Sequence, residues 1–252
     1  MRGLSSQVKE SISRLIEQLF DRAALRLLGN VPKLQHKRTY LVGFEQTPSL
    51  ANIFVQAMGN KYLNHTEQDV LKGILDGTYS YVDILKNKTT NDIIQQLEGL
   101  AREARISNTQ IPKEELDSVI KVGLDKARSH LETIAGTEGT KSRNLGSAMD
   151  ITRDASEKDP VVGFAVLKDK STCEECIRVN LMDDGITPRL YRMSELSAGY
   201  FKRGDKVPSL LGQHPNCRCT LINVPKDWGF DPSGHITFIA IGHSEINKQR
   251  KE

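Results

Sequence analysis

The chain has 252 residues, a formal net charge of +3, 38% hydrophobic residues and 27% charged residues. This length allows one large domain or two modest ones. No apolar run approaches the roughly 20 residues that cross a bilayer, so we expect neither a membrane protein nor a membrane partner. The first 20 residues are amphipathic and carry acidic side chains, which is typical of neither a secretory signal nor a transit peptide. We therefore expect a reducing environment, where paired cysteines indicate a metal more often than a disulfide.

The first 40 residues are locally basic. They hold eight Lys or Arg residues and three Asp or Glu residues, an excess of five positive charges. One interpretation is a solvated helix face, and the other is a surface that faces DNA or an acidic protein. The candidate residues for such a surface are Arg14, Arg22, Arg26, Lys37 and Arg38.

Apolar residues at intervals of three and four predict helices through the first 155 residues. The first helix covers 4–28, and a connection over 30–46 follows it. Thr47-Pro48 begins the second helix, Thr66 begins the third with Asp69 as its capping-box partner, and the fourth covers 90–106.

The longest predicted helix begins at Pro112 and continues to about Ala135. Thr137-Glu138-Gly139 interrupts the apolar pattern, and the helix resumes over 141–154. The pattern does not decide whether these helices form a bundle or an extended arm.

The pattern changes after 156–160. Short apolar runs predict strands over 161–167, 220–224 and 235–241, and a short helix is expected near 193–198. We therefore predict an α+β fold, with a helical N-terminal region followed by a small β-rich unit stapled by zinc. The predicted segments are 1–110 (helical), 111–155 (long helix), 156–243 (β unit) and 244–252 (charged tail).

All four cysteines fall in the β unit, in two short clusters at 173–176 and 214–219. Cys-x-x-Cys and His-x-x-Cys are turns with the same spacing, and two such turns supply the four ligands of a tetrahedral zinc site. The spacing favours Cys173, Cys176, His214 and Cys217 as ligands, with Cys219 able to replace His214 in a four-cysteine site. Two disulfides, free thiols and an iron–sulfur cluster are the alternatives.

A catalytic interpretation of this site has little support in the sequence. Glu174 and Glu175 lie inside the first turn, where charged residues ordinarily face solvent. The chain lacks a phosphate-binding Gly-rich motif, G-x-S-x-G and H-E-x-x-H. We therefore expect structural zinc and no enzymatic activity.

The hexapeptide His-Pro-Asn-Cys-Arg-Cys at 214–219 resembles the C-terminal signature of the phage head-morphogenesis family, the Mu F-like minor head proteins of tailed phages. The Cys-x-x-Cys turn before it agrees with that signature. Thr137-Glu138 resembles the Thr-Glu element at the end of the family's long helix. Asn144 and Gly146 match the Asn-x-Gly that commonly follows.

The likeness covers about residues 116–224 in the right order. The strand that begins at Phe164, followed by Asp169 and Cys173, resembles the family's strand, Asp and first Cys. The chain departs from the pattern at Gly136, where Arg is common, and in having a single aromatic residue in that strand.

The resemblance implies a minor head (capsid) protein that assists head morphogenesis and DNA packaging or delivery. Its expected location is the interior of the virion near the portal vertex, and the host cytoplasm during assembly. The implied partners are the portal protein, the major capsid or scaffold protein, and packaged DNA bound without sequence preference. No small-molecule substrate is expected.

Two other functions remain open from the residues alone. A zinc-ribbon nucleic-acid-binding protein would use the arginines near the cysteines. A metal-dependent nuclease or hydrolase would need further carboxylates at an open metal position, for which Asp183, Asp184 and Asp205 are candidates.

Overall fold

The computed structural model of the chain describes residues 4–28, 49–59, 62–155, 157–167, 172–231 and 233–238. The helices in these ranges are α1 (Ser6–Leu28), α2 (Leu50–Ala57), α3 (His65–Ile106), α4 (Lys113–Asp154) and α5 (Glu174–Asn180). The strands are β1 (Val161–Ala165), β2 (Tyr191–Arg192), β3 (Thr220–Asn223), β4 (Trp228–Phe230) and β5 (Ile236–Phe238). The predicted α+β fold is confirmed. None of the described helices is both long enough and apolar enough to cross a membrane.

Two predicted helix breaks are wrong, because α3 and α4 are each continuous over 42 residues. Thr90, expected to begin a helix, lies inside α3, where its hydroxyl donates to the carbonyl oxygen of Lys86 at 2.9 Å. The expected interruption at 137–139 is helical as well. Glycine costs about 1 kcal/mol relative to alanine inside a helix. Gly139 is buried together with its two neighbours, and this packing offsets the local preference.

The start of α3 is fixed by a capping box two residues earlier than predicted. The backbone N–H of Glu67 donates to Oδ1 of Asn64 at 3.0 Å, and the N–H of Asn64 donates to Oε2 of Glu67 at 2.7 Å. The expected pair of Thr66 and Asp69 is therefore wrong. Glu67 is buried, and its other carboxylate oxygen accepts from Nε of Arg153 at 3.0 Å. One carboxylate thus caps α3 and neutralises a charge on α4.

The chain divides into two compact units, one of residues 1–49 and 75–135 and the other of residues 50–74 and 136–252. The division falls inside α3 and α4. The four segments predicted from the sequence are each continuous in the chain, unlike these two units, and they stay predictions.

The first unit is a helical bundle. Helix α1 and the parts of α3 and α4 in this unit share one apolar core. Of the two predicted alternatives, the described residues therefore form a bundle and not an extended arm. Its buried members are Ile12, Ile16, Phe20, Ala23, Ala24, Val82, Ile93, Leu97, Ala127 and Leu131.

The second unit contains both small antiparallel sheets. The larger has the order β2-β1-β3, with Phe164 opposite Leu221 and Val162 opposite Tyr191. The smaller pairs β4 with β5. The core around the larger sheet includes three of the four cysteines, and its buried members are Ala148, Val162, Phe164, Cys176, Tyr191, Leu196, Cys217, Cys219 and Leu221.

The strands predicted at 161–167 and 220–224 are confirmed as β1 and β3. The third predicted strand is present as β5, while residues 239–241 lie outside the described ranges, as do Thr47 and Pro48. The short helix expected near 193–198 is a single 3₁₀ turn, Met193–Glu195. The sequence did not predict α5, β2 or β4.

Helices α2 and α4 of the second unit touch backbone to backbone at Gly146. A Cβ atom at this position would lie 2.8 Å from the carbonyl oxygen of Phe54 and 2.9 Å from Cβ of Ala57. Only glycine allows this approach without displacing α2. The neighbouring hydroxyl of Ser142 donates to the carbonyl oxygen of Leu50 at 3.0 Å, at the first residue of α2.

The substitution Gly146→Ala should lower the free energy of unfolding by about 1–3 kcal/mol, because the added methyl overlaps the backbone of α2. Gly73→Ala in α3 is the matched control, since a Cβ there meets nothing within 4 Å. The control should raise the free energy by up to about 1 kcal/mol, the usual gain for alanine over glycine in a helix. Urea denaturation measures both, and equal effects would contradict the close contact.

Candidate metal centre

The first half of the site is the turn that begins α5. Cys173 is the N-cap residue of this helix, and its sulfur accepts a hydrogen bond from the backbone N–H of Cys176 at 3.3 Å. The bond brings the two sulfurs of the Cys-x-x-Cys turn to one side. Cys176 is buried, whereas Cys173 is partly exposed.

The second half is the ligand loop, residues 212–219. A turn closes where the N–H of Cys217 donates to the carbonyl oxygen of His214 at 3.0 Å. Gly212 and Asn216 adopt φ values of 93° and 59°. Glycine and asparagine tolerate this left-handed conformation best, which explains both residue types here.

The two halves meet at the Sγ atom of Cys176. This sulfur lies 3.2 Å from Nε2 of His214 and 3.8 Å from Sγ of Cys217. Two groups of ligand atoms share it, Cys173–Cys176–His214 and Cys176–Cys217–Cys219, each with all its atoms within 4.8 Å of one another. A tetrahedral zinc site places sulfurs about 3.8 Å apart and a sulfur and a nitrogen about 3.6 Å apart. The structure thus brings all five predicted ligands into a cluster that could hold a metal ion.

A cavity of about 20 Å³ lies within the cluster. Its lining includes Cys173, Cys176, His214 and Cys219. A volume of this size holds about one water molecule or one ion. The space therefore fits a metal ion.

The tautomer of His214 suits a metal ligand. Its Nδ1 atom lies 2.7 Å from the carbonyl oxygen of Pro215. A carbonyl oxygen only accepts, so Nδ1 carries the proton and donates. Nε2 is left with a free lone pair on the side of Cys176, and this is the nitrogen that would bind the ion.

The buried thiols share protons. Hydrogen bonding to Cys217, together with burial, raises the pKa of Cys176. The bond from Cys176, which lowers the pKa of Cys219, is outweighed by the bond to Cys217 and by burial, so the pKa of Cys219 is raised to about 12. Protons that Cys176 and Cys219 share with Cys217 lower the pKa of that third thiol. A metal ion must displace the protons of its ligands, because only thiolates coordinate.

Helix α4 holds the ligand loop through three side chains, which we call the polar stripe: Thr137, Thr140 and Asn144. Oγ1 of Thr137 accepts from the N–H of Asn216 at 3.0 Å, and the hydroxyl of Thr140 donates to the carbonyl oxygen of Cys217. All of these bonds go to the loop backbone, so they position the ligands without competing for them.

Asn144 makes the most extensive contact of the polar stripe. Its Nδ2 donates to the carbonyl oxygen of Cys219 at 3.2 Å, and its Oδ1 accepts from the N–H of Leu221 at 3.0 Å. Asn144 is fully buried, so these two bonds satisfy backbone groups that water does not reach. The amide thus makes one donated and one accepted hydrogen bond with the loop backbone, as the backbone of a neighbouring strand would.

Sequence reasoning missed three residues of the site. Thr140 could have been found, because its spacing from Thr137 and Asn144 places all three on one face of a helix. Asn180 and Gln213, whose side chains touch the sulfurs of Cys219 and Cys217, carry no such signal.

Four of the five acidic residues considered for a catalytic site bind other groups of the chain. Oε2 of Glu175 accepts from Nε of Arg178 at 3.1 Å, and this bond lowers the pKa of the carboxyl group. Asp183 pairs with Arg189, Asp184 accepts from backbone N–H groups of its own turn, and Asp205 accepts from the N–H of Lys202. Glu174 is exposed.

The described basic residues of the N-terminal region differ in their exposure. Arg14 is exposed and pairs with Glu10 of the same helix at 2.5 Å, whereas Arg22 and Arg26 are half-buried. Lys37 and Arg38 lie outside the described ranges. The DNA-facing or acid-facing surface stays a prediction.

Comparisons of the chain with family models, with curated proteins and with solved structures gave no match. The resemblance to the head-morphogenesis family stays a prediction.

The substitution Asn144→Ala should lower the free energy of unfolding by about 2–4 kcal/mol, because it leaves one buried N–H and one buried carbonyl without partners. Asn87→Ala is the control, since this exposed asparagine bonds only to Asp83 on its own helix, at 3.2 Å. The control should change stability by less than about 0.5 kcal/mol. Thermal and urea denaturation of both variants test the difference, and a neutral Asn144 variant would show that the polar stripe does not hold the loop.

Proposed function

We propose that the chain is a minor head (capsid) protein of a tailed phage and that its cysteine–histidine cluster holds a structural zinc ion. The observation that carries the proposal is the contact between the two halves of the resemblance. Thr137 and Asn144 come from the helical half, and they bond to Asn216 and Cys219 in the hexapeptide half. Residues that resemble a family signature in separate stretches therefore form one physical unit.

The chemistry of the donors supports zinc. Thiolate sulfur and imidazole nitrogen are the usual ligands of structural zinc sites, and the distances in the cluster suit a tetrahedral ion. The surrounding unit needs such a staple, because its strands are only two to five residues long. The ion would join α5, which follows β1, to the loop that leads into β3.

The carboxylates that bind other groups support a non-enzymatic role. A catalytic zinc keeps an open position with a general base nearby. The proposed role is assembly: the protein binds the portal vertex from inside the capsid, contacts the major capsid or scaffold protein, and assists DNA packaging or delivery. Packaged DNA is the further proposed partner, through the basic N-terminal residues.

Purified protein should contain about one equivalent of zinc, measured by elemental analysis. Chelation should lower the melting temperature by about 6–12 °C, because loss of a structural ion removes about 3 kcal/mol or more of folding free energy. Cys176→Ser should lose the metal, whereas Glu174→Gln, an exposed change inside the same turn, should keep it. Less than half an equivalent of zinc, with all four thiols readily alkylated, would refute the zinc site.

The head-protein role predicts a stable complex with the portal protein of the phage or prophage that encodes the chain. The tagged chain, co-expressed with that portal protein, should elute with the portal ring in gel filtration and should be found by mass spectrometry in purified heads. Portal protein expressed with an unrelated tagged protein is the control. Separate elution, together with absence from purified heads, would contradict the role and leave the zinc site standing.

A further inference from the structure

The basic loop, residues 199–206, is a short surface segment of the second unit that is rich in positive charge. It holds Lys202, Arg203 and Lys206 against a single carboxylate, that of Asp205. All three basic residues are exposed, and the side chain of Arg203 is exposed to 94%. The loop lies far along the chain from the basic N-terminal residues considered above.

The base of the loop is fixed by hydrogen bonds between the residues that flank it. The N–H of Ser197 donates to the carbonyl oxygen of Pro208 at 3.1 Å, and the N–H of Leu210 donates to the carbonyl oxygen of Ser197 at 3.0 Å. The hydroxyl of Ser209, a fully buried residue, donates to the carbonyl oxygen of Gly199 at 2.5 Å. The two ends of the loop are therefore held side by side.

The tip of the loop is a tight turn over residues 202–205. The N–H of Asp205 donates to the carbonyl oxygen of Lys202 at 3.0 Å, and the N–H of Lys202 donates to Oδ2 of Asp205 at 2.8 Å. Gly204 has a φ value of 94°, which glycine adopts without strain. The only carboxylate of the loop is thus bonded to the backbone of its own turn.

Helix α5 holds this turn through a second carboxylate. Glu175 accepts from the N–H of Gly204 and pairs with Arg203 at 3.9 Å. Arg178 donates to Glu175 at 3.1 Å and to the carbonyl oxygen of Asp205 at 2.7 Å. Two acidic residues therefore position the loop, while its basic residues stay exposed to solvent.

The chemistry of the loop fits the phosphate groups of a nucleic acid. A guanidinium group can donate two parallel hydrogen bonds to phosphate oxygens, and an ammonium group attracts phosphate as a point charge. The exposed pair of Arg203 and Glu175 is weak, so a phosphate can replace it. Tyr200 is 62% exposed in the same loop, and an aromatic ring next to cationic residues favours a nucleic acid over an acidic polypeptide, because such rings stack on bases.

We infer that the basic loop is a nucleic-acid contact surface, in which Lys202, Arg203 and Lys206 bind the phosphate backbone without sequence preference. The inference rests on the proposed role beside packaged DNA, and it names a surface that the N-terminal residues do not include. The loop is tied to α5, which also carries Cys176, so the turn that would bind the metal also positions this surface.

Fluorescence anisotropy of the purified full chain with a labelled duplex, and with a single strand of the same sequence, tests the inference. The combined variant Lys202→Gln, Arg203→Gln and Lys206→Gln should weaken binding to both probes by more than about tenfold. It should also lower the slope of log affinity against log salt concentration by about 2–3, since each phosphate contact contributes about 0.9 to the slope for a duplex and about 0.7 for a single strand.

The matched control replaces Lys113, Lys121 and Lys126 by Gln, three exposed lysines of α4. Each combined variant removes three positive charges and lowers the formal net charge from +3 to 0. The control should weaken binding by less than about threefold, because lysines outside the contact act only through the total charge. Since all six residues are exposed, both variants should keep the melting temperature of the unmodified protein within about 2 °C.

Three results would overturn the inference. These are equal losses in the two variants, unchanged binding in the loop variant, and an unmodified protein that binds polyglutamate through this loop but does not bind DNA. The last result would identify an acidic polypeptide as the ligand. Co-elution with the portal ring is measured on the unmodified chain, so the head-protein role can hold while the loop assignment fails.

Discussion

The hydrogen bonds between the polar stripe of α4 and the backbone of the ligand loop are the constraint on which the second unit depends. Thr137, Thr140 and Asn144 bind successive backbone groups of residues 216–221, in the same order along both segments. The loop carries three of the candidate ligands, so its path determines whether their sulfurs and nitrogen can meet the Cys-x-x-Cys turn. A metal ion would then tie the Cys-x-x-Cys turn to a loop that the helix already holds.

Two different kinds of contact position the loop and bind the metal. Side chains of α4 bind the backbone of the loop, and the side chains of the loop are left to face the metal cluster. Two buried amide side chains also hydrogen-bond to the sulfurs of the loop. Asn180 donates to Cys219, and Gln213 accepts from Cys217. Binding of an ion would therefore stabilise the helix, the loop and the sheet together, since each holds the next.

The sequence predicted the candidate ligands that the structure brings together, and two of the main strands, because those signals are local. Two turns with ligands three residues apart are visible in the chain, and so are the short apolar runs of β1 and β3. It failed at α5, whose seven residues are too few to show a period. It also failed at Asn180 and Gln213, because an ordinary buried amide acquires its role only from the sulfur that the fold places beside it.

The break in α4 was predicted wrongly because the contacts that favour a continuous helix are made with residues distant in the chain. These contacts are those of the polar stripe. From Thr137 to Asn144 a helix rises about 10.5 Å. Over this span the helix contacts Asn216, Cys217 and Cys219 in chain order. A single residue added or lost between these positions would turn the later side chains by about 100° and direct them away from the loop. The absence of a side chain at Gly136 also lets the loop approach the helix, since a Cβ there would lie 2.4 Å from Oδ1 of Asn216. The loop thus imposes a continuous helix on a segment whose own residues favour an interruption.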